Sequence, residues 1–188
     1  QDLARSDGHG LNHAAVVDDA GAHEVREHEG ERGLKPGHAE GRQLELAVLL
    51  PIGVGRVIGD DGWKVLLPGA DIHPPVDYYT LLPDCYARAQ AVLNVTSLLM
   101  PHSLSQRHFD VWASGGLLLS DATQGLNIFA DALVEPMRLH GPEDFAVKCA
   151  WFQAHPAEAL DLRREWREHL RAAHRYEHRI LRIMETLG

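Results

Sequence analysis

No stretch of this chain approaches the ~18 consecutive apolar residues that a membrane helix requires, and no signal-peptide pattern opens it. A cytoplasmic location is therefore expected. Cysteine is nearly missing: Cys85 and Cys149 are the two among 188 residues. They lie far apart, each in a helix-like pattern, and read as buried free thiols of a reducing compartment. A basic surplus is missing as well. The formal net charge of −9 argues against a nucleic-acid or anionic-membrane binder, whose surface must neutralise phosphates. A small anionic ligand stays open, because a pocket needs only a local positive potential.

Large apolar residues are scarce over residues 1–45, which hold five of the thirteen histidines among many Gly, Asp and Glu. Little there offsets the ~1–2 kcal/mol per residue of backbone ordering entropy, so this segment is expected to be poorly structured. A metal reading of its histidines is weak. His9 and His13 stand at i and i+4, but Gly8 and Gly10 disfavour a helix; His23 and His28 stand at i and i+5; and no HExxH occurs. The chain opens on Gln1 rather than Met, so a piece of a longer protein is expected. One hypothesis makes the amino-terminal segment a truncated or out-of-frame translation of a natural upstream region.

From about residue 46 the pattern changes. The length and the 45% apolar content allow one domain with a real core. VGRVIG (54–59) is a β-branched run ending in the turn cluster GDDG, and ADIHPP (70–75) is a short apolar piece stopped by two prolines. DYYTLLPDCYARAQ sets Tyr78, Leu81, Leu82, Cys85, Tyr86 and Ala89 at helical spacing. AVLNVTS (91–97) and GLLLSD (116–121) are further strands, with a helix-sized segment between them. This alternation predicts an α/β fold with a parallel sheet covered on both faces. GPEDFAVKCAWFQAHP is helix-like. Beyond it Leu162, Trp166, Leu170, Ala173, Tyr176, Ile180 and Met184 mark an amphipathic packing helix with a break near Tyr176, its charges a solvated face. The sequon Asn94-Val95-Thr96 falls in a predicted buried strand and is discounted.

In an open parallel sheet, ligands bind beyond the carboxyl ends of the strands. Three stretches meet that condition: GDDGW (59–63), TSLLMPHSLSQ (96–106) and SDATQGLN (120–127). The middle one feeds a helix capped by Ser103 or Ser105, a start that suits a phosphate. Arg107 falls in its first turn and Asp110 one turn on. Their spacing fits two readings equally. One is a ligand site, with the arginine on a diphosphate and the carboxylate on a ribose; the other is an i, i+3 ion pair worth a few tenths of a kcal/mol.

The runs VIGDDGW, HPPVDYYTLLPDCYARAQAVLNVTS and QRHFDVWASGGLLLSDATQGL, with EHRILRIMETL at the close, appear in an order that resembles the carboxyl-terminal half of GT-B glycosyltransferases. They are most similar to the CgeB-like, spore-maturation-protein branch of glycosyltransferase group 1. The resemblance spans roughly Val57 to Leu187. It implies a doubly wound, Rossmann-like nucleotide-sugar-binding domain over 46–188 with a helical tail, facing an acceptor domain across a cleft. Residues 1–50 do not resemble that partner domain.

By this resemblance Asp110 takes the place of the superfamily's ribose-binding Glu, and Arg107 faces the diphosphate; these two are the candidate catalytic residues. Gly59 and Gly62 line the cleft, Val76 and Asp77 lie on the nucleobase segment, and Gly125 matches the glycine loop near the donor. Ser97 and Ser103 belong to the loop at the phosphates. His102 stands near the donor sugar where the superfamily often carries Glu. The implied donor is a nucleotide-diphosphate sugar and the acceptor an unknown glycan or protein, with no cofactor and no bound metal. Asp60–Asp61 reads as turn chemistry, and His73 and His108 are titratable cleft candidates that read more readily as structural or exposed. Two rival readings remain: a non-catalytic nucleotide-binding or interaction module of this fold, and a sugar-nucleotide epimerase.

Overall fold

The structure, a computed structural model, describes residues 56–59, 63–64, 71–96 and 102–187. The segment 1–45, Asp60, Asp61, Gly62 and Ser97 lie outside them.

Two small parallel sheets carry the fold. β1 (Arg56–Ile58) pairs with β2 (Asp71–His73). β3 (Val92–Asn94), β4 (Leu118–Asp121) and β5 (Arg138–Leu139) form the second sheet in that order. All pairs run parallel, as the strand–helix alternation predicts. β3 and the first three residues of β4 are buried throughout, as in strands covered on both faces, and each of the two runs is apolar up to its last residue. β5 was not expected: at two residues it is too short to show a period.

Helix α1 (Leu82–Arg88) connects β2 to β3, and α2 (Gln106–Ala113) connects β3 to β4. A 3₁₀ turn (Gln124–Ile128) and the one-turn α3 (Asp131–Val134) lead to β5. Then α4 (Pro142–Ala154), α5 (Pro156–Ala173) and α6 (Tyr176–Leu187) follow. The Gly115–Gly116 pair ends α2. Gly115 adopts φ +76°, the left-handed helix stop that only glycine takes without strain. A Cβ on Gly116 would lie 2.8 Å from both the Tyr86 carbonyl oxygen and Val111 Cγ1, so this glycine lets β4 enter against α1 and α2.

One core joins both sheets, from Val57, Ile58 and Trp63 to Leu93, Leu119, Trp112 and Trp166. The indole of Trp112 on α2 stacks on that of Trp166 on α5 at 3.8 Å with planes 3° apart, and Phe129 meets both edge-on. Such aromatic contacts add to the area they bury and pin α5 across α2. Cys149 is a buried free thiol and Cys85 a half-buried one.

Three expectations are corrected. Tyr78 and Leu81 precede α1 instead of lining it. Asp77 accepts the Leu81 and Leu82 N–H groups on its carbonyl and holds a turn there, and Pro83 then sits in the first helical turn, where its missing N–H costs nothing. The packing face of the last helix stops at Leu170. Tyr176, Ile180 and Met184 are 78%, 55% and 64% exposed on α6, which buries no residue. Arg163 is not a solvated charge: its guanidinium donates to the carbonyls of Ala87, Ala89 and Gln90 at 2.8–3.0 Å.

Candidate functional site

The register of β3 on β4 sets Asn94 beside Ser120 at the carboxyl ends of two otherwise apolar strands. Both are buried, and Asn94 Nδ2 donates to Ser120 Oγ at 3.1 Å. One residue on, Asp121 leaves β4 and its Oδ1 accepts from the Thr96 N–H at 2.9 Å and the Thr96 hydroxyl at 2.8 Å. A short loop after each strand is thereby clamped to its neighbour.

Helix α2 starts on this polar floor. Ser105 is its N-cap and forms a reciprocal capping box with His108, whose imidazole stands where Glu or Gln more often does. The Ser105 N–H donates to Nδ1 of His108 at 3.1 Å, which leaves the ring proton on Nε2, 3.0 Å from Ser120 Oγ. Ser120 Oγ, receiving from the imidazole, passes its own proton to Asp121 Oδ1 at 3.2 Å, while the Ser105 hydroxyl donates to Asn94 Oδ1 at 3.0 Å. His108 is fully buried, and that burial, with the positive charge of Arg107 next in effect among those that disfavour protonation, lowers its pKa from 6.5 to about 4. The ring is neutral at physiological pH. Of the structural and exposed roles expected for it from sequence, the buried structural one is found.

Arg107 in the first turn of α2 and Asp110 one turn on are both half-buried. Among the described residues no ion pair joins the two. Asp110 Oδ2 instead accepts from the Tyr78 hydroxyl at 2.5 Å, and Tyr78 in turn accepts from Gln106 Nε2 at 2.7 Å. Burial raises the pKa of Asp110, against the opposing hydrogen bond from Tyr78; burial and the carboxylate together raise that of Tyr78.

Of the other expected residues, Ser103 is exposed and yields the cap to Ser105, and His102 is exposed beside it. Gly125 is needed by close approach. A Cβ there would meet Leu104 N at 2.9 Å, Leu104 Cγ at 3.0 Å and Ser103 C at 3.0 Å, so the 3₁₀ turn lies directly on the loop before α2. Thus residues 103–106 at the end of the second candidate loop meet the third, with the turn Val76–Thr80 joined to them through Tyr78. Val76 packs on the core, and Asp77 spends its Oδ1 on the Tyr79 N–H and on the Thr80 N–H and hydroxyl. Those bonds, Thr80 first, hold the Asp77 pKa low. Gly59 is buried at the end of β1, its N–H bonded to the His73 carbonyl, and His73 pairs with exposed Asp71 on the same sheet.

Tyr78, Gln106 and the floor residues Asn94, Ser120 and Asp121 were not singled out from sequence. The available signal was polarity: Asn94 and Ser120-Asp121 close apolar strands where the pattern otherwise calls for aliphatic side chains. A shallow groove of about 430 Å³ along α4, lined by Pro136, Val147, Lys148 and Trp151 among others, lies on a different element. Among the described residues no cluster of three His, Cys, Asp or Glu side chains is placed to hold a metal, and no helix is long and apolar enough to cross a membrane.

Parallel strands whose carboxyl ends feed a capped helix with an arginine and a carboxylate in its first two turns define an α/β protein built around a polar site at the sheet edge. The chain belongs to the glycosyl transferase-like family, whose model matches residues 42–185. Neither a curated protein nor a solved structure matches it. Family membership makes the chain a transferase-type domain acting in sugar transfer, with a sugar donor and an acceptor.

Proposed function

We propose that this chain is the donor-binding, doubly wound carboxyl-terminal half of a GT-B glycosyltransferase of the CgeB-like branch, and that it binds a nucleoside-diphosphate sugar over the start of α2. One observation carries this reading. Arg107 and Asp110 sit one turn apart at the carboxyl edge of the sheet, and the Asp110 carboxylate is held in place by the Tyr78 hydroxyl from outside the helix. Arg107 then meets the diphosphate with a fork of donors, aided by the positive end of α2, and Asp110 accepts from the ribose. As the nucleoside diphosphate departs, the same fixed charges stabilise the charge that develops on it, with no reorganisation at the moment of reaction. His102 and Ser103 flank the donor sugar and phosphates, with Ser97 on the same loop; Gly125 holds the opposing loop in place. Val76 and Asp77 border the base, and Gly59 and Gly62 the cleft. The acceptor is a glycan or a protein.

Isothermal titration with UDP, GDP and their sugars tests the reading. Asp110→Ala is expected to weaken nucleotide binding at least about tenfold, the loss of a hydrogen bond to a charged group. Arg107→Ala is expected to weaken the diphosphates while sparing the parent nucleosides. Absence of any nucleotide binding, or an Asp110→Ala variant that binds as the wild type does, would sink it.

A further inference from the structure

The Asp110 carboxylate is held from outside its own helix. Tyr78, 32 residues earlier in the chain, gives its single hydroxyl proton to Oδ2 at 2.5 Å. Gln106 must therefore be the donor in its own contact with that hydroxyl, at 2.7 Å. The bonds run one way, from Gln106 through Tyr78 to Asp110. The ring that delivers the hydroxyl is itself fixed. The backbone on either side is locked by the Asp77 turn, and Tyr79 packs edge-on against Tyr78 with ring centres 5.0 Å apart.

A carboxylate on one rotatable carbon sweeps both oxygens through space, and a ligand that binds it must first stop that motion. Here one oxygen is already held. We propose that Tyr78 is a positioning residue for donor binding: by fixing Oδ2 of Asp110 it presents Oδ1 to a ribose hydroxyl of a nucleoside diphosphate. This rests on the proposed ribose contact of Asp110 and adds a residue to it. Tyr78 touches the carboxylate and not the reacting atoms. Its effect is confined to what Asp110 recognises, the ribose diol, and leaves base and diphosphate contacts alone.

The experiment compares UDP and GDP with their 2′-deoxy and 3′-deoxy counterparts by isothermal titration, using the full chain as wild type, Tyr78→Phe, Asp110→Ala and the double variant. Tyr78→Phe keeps the ring and removes only the hydroxyl. It is expected to weaken the ribonucleotides about fivefold, the worth of one modest hydrogen bond, while leaving one deoxy analogue unchanged. Once Asp110 is Ala, adding Tyr78→Phe is expected to cost nothing more, because the hydroxyl has lost the group it acts through. The inference is overturned if Tyr78→Phe binds the ribonucleotides as the wild type does. It is equally overturned if Tyr78→Phe weakens ribo and deoxy forms alike, or if the two substitutions add. An Asp110→Ala variant that still prefers ribose over deoxyribose would instead remove the ribose contact itself, a separate failure.

Discussion

His108 joins the cap of α2 to the polar floor beneath it, and its chemistry ties the site to pH. It is fully buried, and one ring nitrogen accepts from the helix cap while the other donates to Ser120. Folding carries its pKa from 6.5 to about 4. Between those values the unfolded chain binds the proton and the folded chain refuses it. This contribution is therefore present above pH 6.5 and lost as pH falls towards 4, amounting to about 2 kcal/mol between pH 7 and 4.5. Burial lowers the pKa of half-buried His174 as well and adds in the same sense; the raised pKa of Asp110 works against both. Urea unfolding at the two pH values is expected to show this loss in the wild type and most of it gone in His108→Gln. Glutamine still reaches back to the Ser105 N–H but does not titrate. An equal pH dependence in both proteins would assign the loss to other groups.

At the scale of elements, the site depends on two loops that nearly interpenetrate. The 3₁₀ turn at Gln124–Ile128 meets the backbone of Ser103 and Leu104 across Gly125, and the atoms a Cβ would strike there include backbone that has nowhere to yield. Gly125→Ala is expected to push the turn outward and cost about 1–3 kcal/mol in thermal or denaturant unfolding. Nucleotide affinity should fall with it, because the loop that carries Ser103 into α2 moves too. A variant with wild-type stability and affinity would mean that the loops are free to separate. The same elements divide what the sequence reveals from what it hides. β3 and β4 were legible as apolar runs with their stop signals, α2 as a helix-sized segment behind a serine cap, and α4 from Pro142 at its start and His155–Pro156 at its end. Arg107 and Asp110 were legible as neighbours on one helix, but the hydroxyl that holds Asp110 was not, since Tyr78 stands 32 residues away. Tyr78 itself was assigned to a helix because its spacing to Leu82 and Tyr86 is helical. Asp77 and Pro83 mark where that helix begins, and turn chemistry prevailed over periodicity.

Across the whole molecule, the helical carboxyl-terminal third is part of the core, up to a definite point. α5 delivers Leu162, Trp166 and Leu170 into it, and past Leu170 the apolar residues of α6 stay exposed. Arg163 on α5, which amphipathic patterning places among solvated charges, reaches back to α1 and β3. Its guanidinium spans the end of α1 and the entry to β3, donating to Ala87 O at 2.9 Å, Ala89 O at 2.8 Å and Gln90 O at 3.0 Å. Helix ends leave carbonyls without partners, and a buried carbonyl stripped of its donor carries its full desolvation cost. One planar fork serves three of them, which an ammonium on a flexible stem does not match. Arg163→Ala is therefore expected to lower the unfolding free energy by about 2–4 kcal/mol, and Arg163→Lys to recover less than half of that. Donor affinity at temperatures where the variant stays folded is expected to be unchanged, since α1 and β3 bear no proposed ligand contact. An Arg163→Ala protein as stable as the wild type would show that water serves those carbonyls equally well, and that α5 is held by its stacked indoles alone.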